Sequence, residues 1–395
     1  MFYLVERVGL ERFLNIMVEL GRIKLLFRPQ CDVLAYDSVG KSILLKVLPG
    51  EVATGFLSLR ESFPVVLRLR FLWRVLKISL DLRSRPLHWR VDRYLDALIA
   101  EFSPKVIVSL ADSNKELLRY ATRHPEIRLV LIQTAIRGSH KMIFSQTCNL
   151  SYCAFGKVEQ DRLRAIGNAT AEVIPTGSLI LKTALQEHSK VPAFPRVDLG
   201  YVSSFRIRPD PSEMGQDFEK MHQKLFSYTA AYAKKGNYSL RILAKSKLVS
   251  EQKVEREFFT RLANGKEFDF VTGLKTENAL NSYHGSLATD LIVTMHSTLG
   301  FEILSLGRKV IFGSSMRKNY LYELGISDYF WYLPSMIKIE TEEFEEFCSK
   351  MDFLVEVDVD DFAFETLPLS SCLFLGSLSD SPEAVLKKII LQGLN

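Results

Sequence analysis

The residues of this chain best placed to do chemistry on a phosphate are Met295-His296-Ser297-Thr298. Asp290–Thr294, just before them, is a short run rich in β-branched residues and reads as a buried strand. Leu299–Leu306, just after, is apolar at Leu299, Ile303, Leu304 and Leu306 and stops at Gly307, so it reads as a helix. Ser297 and Thr298 are strong N-cap types that also carry hydroxyl donors. The free N–H groups of a first helical turn, together with the helix dipole, favour an anion there. Gly300 leaves room for close approach. Glu302 lies four residues after Thr298 on the same helix face, where it could accept hydrogen bonds from ribose hydroxyls. The capping-box spacing would need Ser or Thr at 299, and Leu299 stands there. The plain alternative is an ordinary capped helix whose acidic residue helps the dipole. His296 would sit beside the phosphate, as a donor or base, or would simply pack under the turn.

A transferred group also needs a base or a nucleophile. Asp112 follows the apolar strand Pro104–Leu110 and so should lie at the mouth of a sheet. The other reading is that Asp112 caps the next helix, shared with Ser113 or Asn114. His140 is a second base candidate with a suitable unperturbed pKa, or else an exposed loop histidine. The Gly40-Lys41-Ser42 triplet invites a P-loop reading, but that motif needs glycine five residues earlier, where Ala35 stands. The five cysteines are scattered, and no His or Cys cluster completes a zinc site, so no metal is expected and the thiols read as free.

These side chains need a frame. With 395 residues, 47% hydrophobic and 25% charged, the composition is that of a globular protein of two domains. No apolar run of 18 residues exists, and the charges Glu6, Arg7, Glu11 and Arg12 interrupt any signal-peptide core, so the expected location is cytoplasmic. The net charge of +5 is concentrated between Arg60 and Arg93, where nine cations face three carboxylates. That segment reads as a plain amphipathic helix, or as one lying on the inner membrane surface. No nucleic-acid motif accompanies it.

Residues 1–28 read as helical. Strands are then expected at 32–36, 52–57, 104–110, 128–133, 150–155 and 171–175, alternating with helices. Residues 186–197 lose periodicity around two prolines. A second series follows, with strands at 198–203, 239–244, 268–271, 290–294 and 309–312. The last 65 residues read as mixed short strands and helices, ending in an amphipathic helix from Pro382. The fold class expected is α/β, two doubly wound Rossmann-like domains facing across a cleft. The domains expected are 1–190 and 197–395, with the last helix packing back on the first.

Four patterns in order carry a family resemblance: VIVSLADSN, LVLIQTAIRG, GYVSSFR, and HST with Glu302 and GRKVIF, over about residues 104–313. They resemble the GT-B glycosyltransferases of surface-carbohydrate biosynthesis, a group that takes in bacterial polysialyltransferases, CDP-glycerol glycerophosphotransferases and Kdo transferases. Two departures stand out. TAIRG replaces a more usual Asn-Gly turn, and His296 stands where the glycerophosphotransferases have an Asp-Tyr lead-in. His124-Pro125 resembles the His-Pro pair of bacterial sialyltransferases but falls in the wrong half for a donor phosphate.

The resemblance implies a nucleotide-sugar donor, CMP-Kdo or CMP-sialic acid favoured, bound by Ser203, Arg206, Lys245, His296, Ser297, Thr298 and Glu302. It implies Asp112 and His296 in catalysis, and Gln133, Arg137 and His140 on the acceptor side. The acceptor would be a growing polysaccharide or a lipid-linked precursor, with no metal and no cofactor. Two other readings stay open: a GT-B-shaped sugar-nucleotide epimerase or hydrolase, and a non-catalytic nucleotide-binding assembly subunit docked on the membrane through residues 60–93.

Overall fold

The computed structural model describes residues 23–26, 30–36, 40–57, 63–66, 71, 73, 87–138, 149–166, 172–190, 193–246, 248–272, 280–317, 319–374 and 381–394. The first half runs β1 (Ile23–Leu26), β2 (Val33–Tyr36), α1 (Lys41–Val47), β3 (Thr54–Leu57), β4 (Phe63–Val66) and α2 (Leu87–Phe102). It continues with β5 (Val106–Ser109), α3 (Lys115–Arg123), β6 (Arg128–Ile132), β7 (Leu150–Ala154), α4 (Lys157–Ala165), β8 (Glu172–Pro175) and α5 (Leu179–His188). The second half runs β9 (Val197–Val202), α6 (Glu213–Lys235), β10 (Leu240–Leu243), α7 (Val249–Leu262), β11 (Asp269–Val271), α8 (Asn281–Leu287), β12 (Thr289–Thr294), α9 (Thr298–Leu304) and β13 (Lys309–Phe312). It closes with α10 (Tyr320–Glu323), α11 (Ser327–Trp331), α12 (Phe344–Glu356), α13 (Val359–Leu373) and α14 (Pro382–Leu394).

Two large, fully parallel sheets result, beside a two-stranded parallel pair of β1 and β4. The first has the order β3-β2-β5-β6-β7-β8 and the second β11-β10-β9-β12-β13. The central strands are buried on both faces, as Val106 to Ser109 and Leu291 to Thr294 show. Helices cover both sides of each sheet, which is why these strands are continuous apolar runs rather than alternating ones. In the second sheet the order reverses between β9 and β12. A crevice opens outside the carboxyl ends of the strands at such a point.

Three expectations are corrected. Ile23–Leu26 is a strand, not the end of a helix, and it pairs in parallel with Phe63–Val66. The latter lies inside the basic segment expected to be helical; its FPVV sequence, with two adjacent valines, suits a pleated surface better. Most of that segment lies outside the described residues. Beyond Phe312, the described chain holds helices and a single isolated bridge, Phe312 with Lys338, rather than further strands.

The two lobes interlock. α14 lies on the first sheet, with Leu386, Ile389 and Ile390 in the same apolar cluster as Val106, Val108 and Val130. Phe155 of the first lobe stacks on Phe374 at 4.6 Å between ring centres and joins the second lobe's core. No helix among the described residues is long and apolar enough to cross a membrane.

Candidate active site

Three strand ends of the second sheet bring the chemistry together. β9 runs out into Ser203-Ser204-Phe205-Arg206, β10 into Ala244-Lys245-Ser246, and β12 into Met295-His296-Ser297. A buried carboxylate, Glu255 on α7, fastens the first two. It accepts from the Ser203 hydroxyl, from the Lys245 N–H at 2.9 Å and from the Ser246 N–H at 2.8 Å. Ser203 is therefore a buried strut, not a ligand group, since its hydroxyl also accepts from the Phe205 N–H.

The cations are held but not neutralised. Arg206 lies over the Phe218 ring at 4.5 Å, and Lys245 is exposed. Neither makes an ion pair among the described residues. Their charge is felt by two imidazoles. Burial, then Arg206 and Lys245, push His296 down to about 4. Burial, then Lys245 and Arg206, push His222 down to about 3. Lys245 is itself lowered by desolvation of its partly packed side chain and by Arg206, with the nearby Glu255 carboxylate opposing the shift. Both histidines are thus neutral at pH 7. His296 packs against Phe218 and Tyr320, and its Nδ1 is buried without a hydrogen-bond partner. His222 accepts from the Ser204 N–H at 3.4 Å through Nε2 while its Nδ1 has no partner.

Ser297 is the N-cap of α9, but its side chain makes no capping bond and stays half-buried. The Thr298 hydroxyl accepts from the Ile136 N–H of the first lobe at 3.0 Å, which leaves its own O–H to donate. The bend thus lies at the junction of the two lobes, with Arg206, Lys245, His296 and Ser297 forming a surface of cations, donors and neutral imidazole. Such a surface binds phosphate.

Glu302 is elsewhere. It is 1% exposed, bonded by the Ser178 hydroxyl of the first lobe and by Tyr283 at 2.7 Å. Its two oxygens are occupied, so it is a tie between lobes and not an open ribose acceptor. Burial lifts it to about 7 against the pull of those two hydroxyls.

On the first lobe the expected base is sealed. Asp112 is fully buried; Arg137 binds its Oδ1 at 2.6 and 3.0 Å, and the Thr134 N–H and Tyr152 hydroxyl lie 3.4 Å from its Oδ2. Burial raises its pKa and Arg137 opposes the rise. No acceptor hydroxyl reaches it in this arrangement. Nor does it cap α3, because Asn114 does, accepting from the Leu117 N–H at 2.8 Å. Gln133 is likewise structural, accepting from the Phe155 N–H and donating to the Ala135 carbonyl. Arg137 is one-quarter exposed, and its carbonyl accepts from Arg162 at 2.6 Å. His140 lies outside the described residues. Among the described residues no group of three His, Cys, Asp or Glu side chains could hold a metal.

Sequence reasoning missed Glu255 and His222. Each is a polar residue on an apolar helical stripe, Glu255 with Phe258, Phe259 and Leu262, His222 with Phe218, Leu225 and Phe226. An ionisable group at a core position of an amphipathic helix was the signal available.

The two doubly wound lobes are the GT-B fold. UDP-GlcNAc 2-epimerase of Methanocaldococcus jannaschii, in complex with UDP-GlcNAc and UDP, superposes with a TM-score of 0.55 at 11% identity, over 93% of this chain and 99% of that one. The wall teichoic acid polymerase TagF gives 0.51 at 10% identity, over 100% and 96%. Glycyrrhiza uralensis UGT73P12, complexed with glycyrrhetinic acid 3-O-monoglucuronide, gives 0.50 at 10% identity, over 92% and 89%. A family model described as "putative O-antigen biosynthesis protein" matches residues 196–367, which span most of the second lobe and all of its cation cluster. No curated protein sequence matches the chain.

Proposed function

We propose that this chain is a glycosyltransferase of bacterial surface-polysaccharide synthesis, moving a sugar from a nucleotide donor to a growing glycan. The observation that carries the reading is the pair of unneutralised cations, Arg206 and Lys245, beside His296 and Ser297 at the switch point of the second sheet. The family match over the lobe that holds them supports a role in O-antigen-type synthesis. In this reading residues 1–190 form the acceptor side and 197–395 the donor side.

The donor's phosphates lie against Arg206, Lys245, Ser297 and the first N–H groups of α9. Fixed cations and N–H donors then stabilise the charge that develops on the departing phosphate. His296 is neutral before the donor arrives. A bound phosphate offsets the two cations, so the imidazole takes up a proton more readily and can pass it to the leaving group. Asp112 is assigned as a positioning residue, holding Arg137 and the loop that meets Thr298. His140, two residues past the described part of that loop, is the base proposed for the acceptor hydroxyl. A CMP-activated acidic sugar is the donor we favour, because two cations outside any ion pair among the described residues suit a donor that carries a carboxylate beyond its phosphate.

Calorimetric titration with CMP, CDP, UDP and GDP tests the donor site, and product analysis with a synthetic glycan acceptor tests the transfer. Binding of CMP in preference to the others, and an elongated acceptor, are expected. No binding by any nucleotide removes the reading. Conversion of the sugar nucleotide without elongation replaces it with epimerisation or hydrolysis.

A further inference from the structure

Glu255 stands on α7 among the residues that pack into the second lobe's core, beside Phe258 and Phe259, and is fully buried. A buried carboxylate is costly to the fold unless it is well paired. Glu255 makes no ion pair among the described residues. It is paired instead with three donors from two strand ends. Its Oε1 takes the Ser203 hydroxyl after β9 and the Lys245 N–H after β10, and its Oε2 takes the Ser246 N–H. A neutral amide could not replace it, because the amide nitrogen only donates.

The hold extends along both turns. Gln252, one turn earlier on α7, donates to the Ser246 carbonyl at 3.2 Å. The Ser203 hydroxyl accepts from the Phe205 N–H at 3.2 Å, next to Arg206, and His222 of α6 braces the same turn at the Ser204 N–H. β9 and β10 are neighbours in the sheet, with Val202 opposite Leu243. One side chain therefore sets the spacing of the two turns that carry the cations. Lys245 faces Arg206, Glu255 and the two neutral imidazoles, His222 and His296. Burial and Arg206 disfavour its charged form, and the Glu255 carboxylate favours it.

Resting on the donor-site reading above, we propose that Glu255 is a positioning residue for the donor's phosphate, holding the Ser203–Arg206 and Lys245–Ser246 turns so that both cations bear on one phosphate group. It does so from beneath the site, without touching the donor.

The test is calorimetric titration with CMP, CDP, UDP and GDP, and by displacement with cytidine, uridine and guanosine, on the full chain and on Glu255→Gln, Ser203→Ala and Lys245→Ala. The ratio of nucleotide to nucleoside affinity reads the phosphate contact alone. In Glu255→Gln that ratio is expected to fall about tenfold or more with nucleoside affinity unchanged, whereas a general loosening of the lobe weakens both alike. Between about pH 7 and about pH 10 the wild type should lose nucleotide affinity as Lys245 gives up its proton. That loss should begin at lower pH in Glu255→Gln and be absent in Lys245→Ala. Ser203→Ala releases only the Arg206 turn, so the ratio should fall about threefold with the alkaline loss in its wild-type place. It decides the matter should Glu255→Gln fail to fold. An unchanged ratio in Glu255→Gln, or in Ser203→Ala where that variant decides, overturns the proposal. So does an alkaline loss that Glu255→Gln does not move. Failure of the wild type to bind any nucleotide removes the donor reading and this proposal with it, so the two failures are told apart.

Discussion

Arg206 and Lys245 illustrate how a site can be costly to the fold that holds it. Two cations within each other's field, neither in an ion pair among the described residues and only Lys245 offset in part by Glu255, repel one another in the empty protein. Lys245→Ala should therefore leave the melting temperature unchanged or raise it slightly, while nucleotide affinity falls about ten- to a hundredfold in calorimetric titration. Glu302 gives a pH-dependent counterpart. Its folded pKa, about 7, stands above its unfolded value, so the native state holds an extra proton between about 4.5 and 7. Its contribution is most favourable below that window and is lost as pH rises through it. Glu302→Gln, which keeps a hydrogen-bonding group between Ser178 and Tyr283, should gain on the wild type by on the order of 2 kcal/mol on going from pH 5 to pH 8, read from urea melts. His222 and His296 act with the opposite slope. Their folded values, about 3 and about 4, lie below the unfolded value near 6.5, so stability falls as pH drops through that interval.

Elements were legible wherever a local pattern carried them. Lys115–Arg123 and Lys309–Phe312 fall on the bounds that periodicity and turn residues indicate, and most other strands lie within a residue or two. The bend at His296 was readable because cap residues and a β-branched run identify a strand-to-helix turn without distant information. What could not be read was which partner each polar group would find. Glu302 and Thr298 look free in sequence, and both are taken by residues more than a hundred positions away, Ser178 and Ile136. Asp112 looks like a base at a strand mouth, and only the folded loop shows Arg137 against it. The short β1–β4 pair was missed because pairing of two isolated four-residue segments leaves no periodic trace. The loop that Asp112 and Arg137 hold after β6 gives a prediction of its own. Asp112→Asn leaves Arg137 partly buried without its counter-charge, so it should cost about 2–3 kcal/mol of stability, measured by urea melts, and lower activity with it. A variant with wild-type stability and no turnover would return Asp112 to the chemistry.

At the scale of the molecule, the lobes are joined by buried polar ties as well as apolar contact. Arg162 donates to the Gly325 carbonyl at 3.1 Å and lies over Tyr329, while His188 stacks on His284 across the same junction. α14 extends this joining by covering β5 and β6 with Leu386, Ile389 and Ile390. Truncation before Pro382 exposes those strands, each buried apolar side chain being worth about 1.5–3 kcal/mol. Calorimetric melts of the truncated chain should show the first lobe's transition lost or strongly lowered and the second lobe's retained. A further consequence concerns the order in which the protein is made. Domains generally form from the amino end as they leave the ribosome, yet here β5 and β6 of the amino-terminal sheet lack part of their cover, beyond what α1 and α5 supply, until residues 382–394 have been synthesised. The later half can be complete while the earlier one is still open, and nascent chains stalled before residue 382 should be the species that chaperones hold.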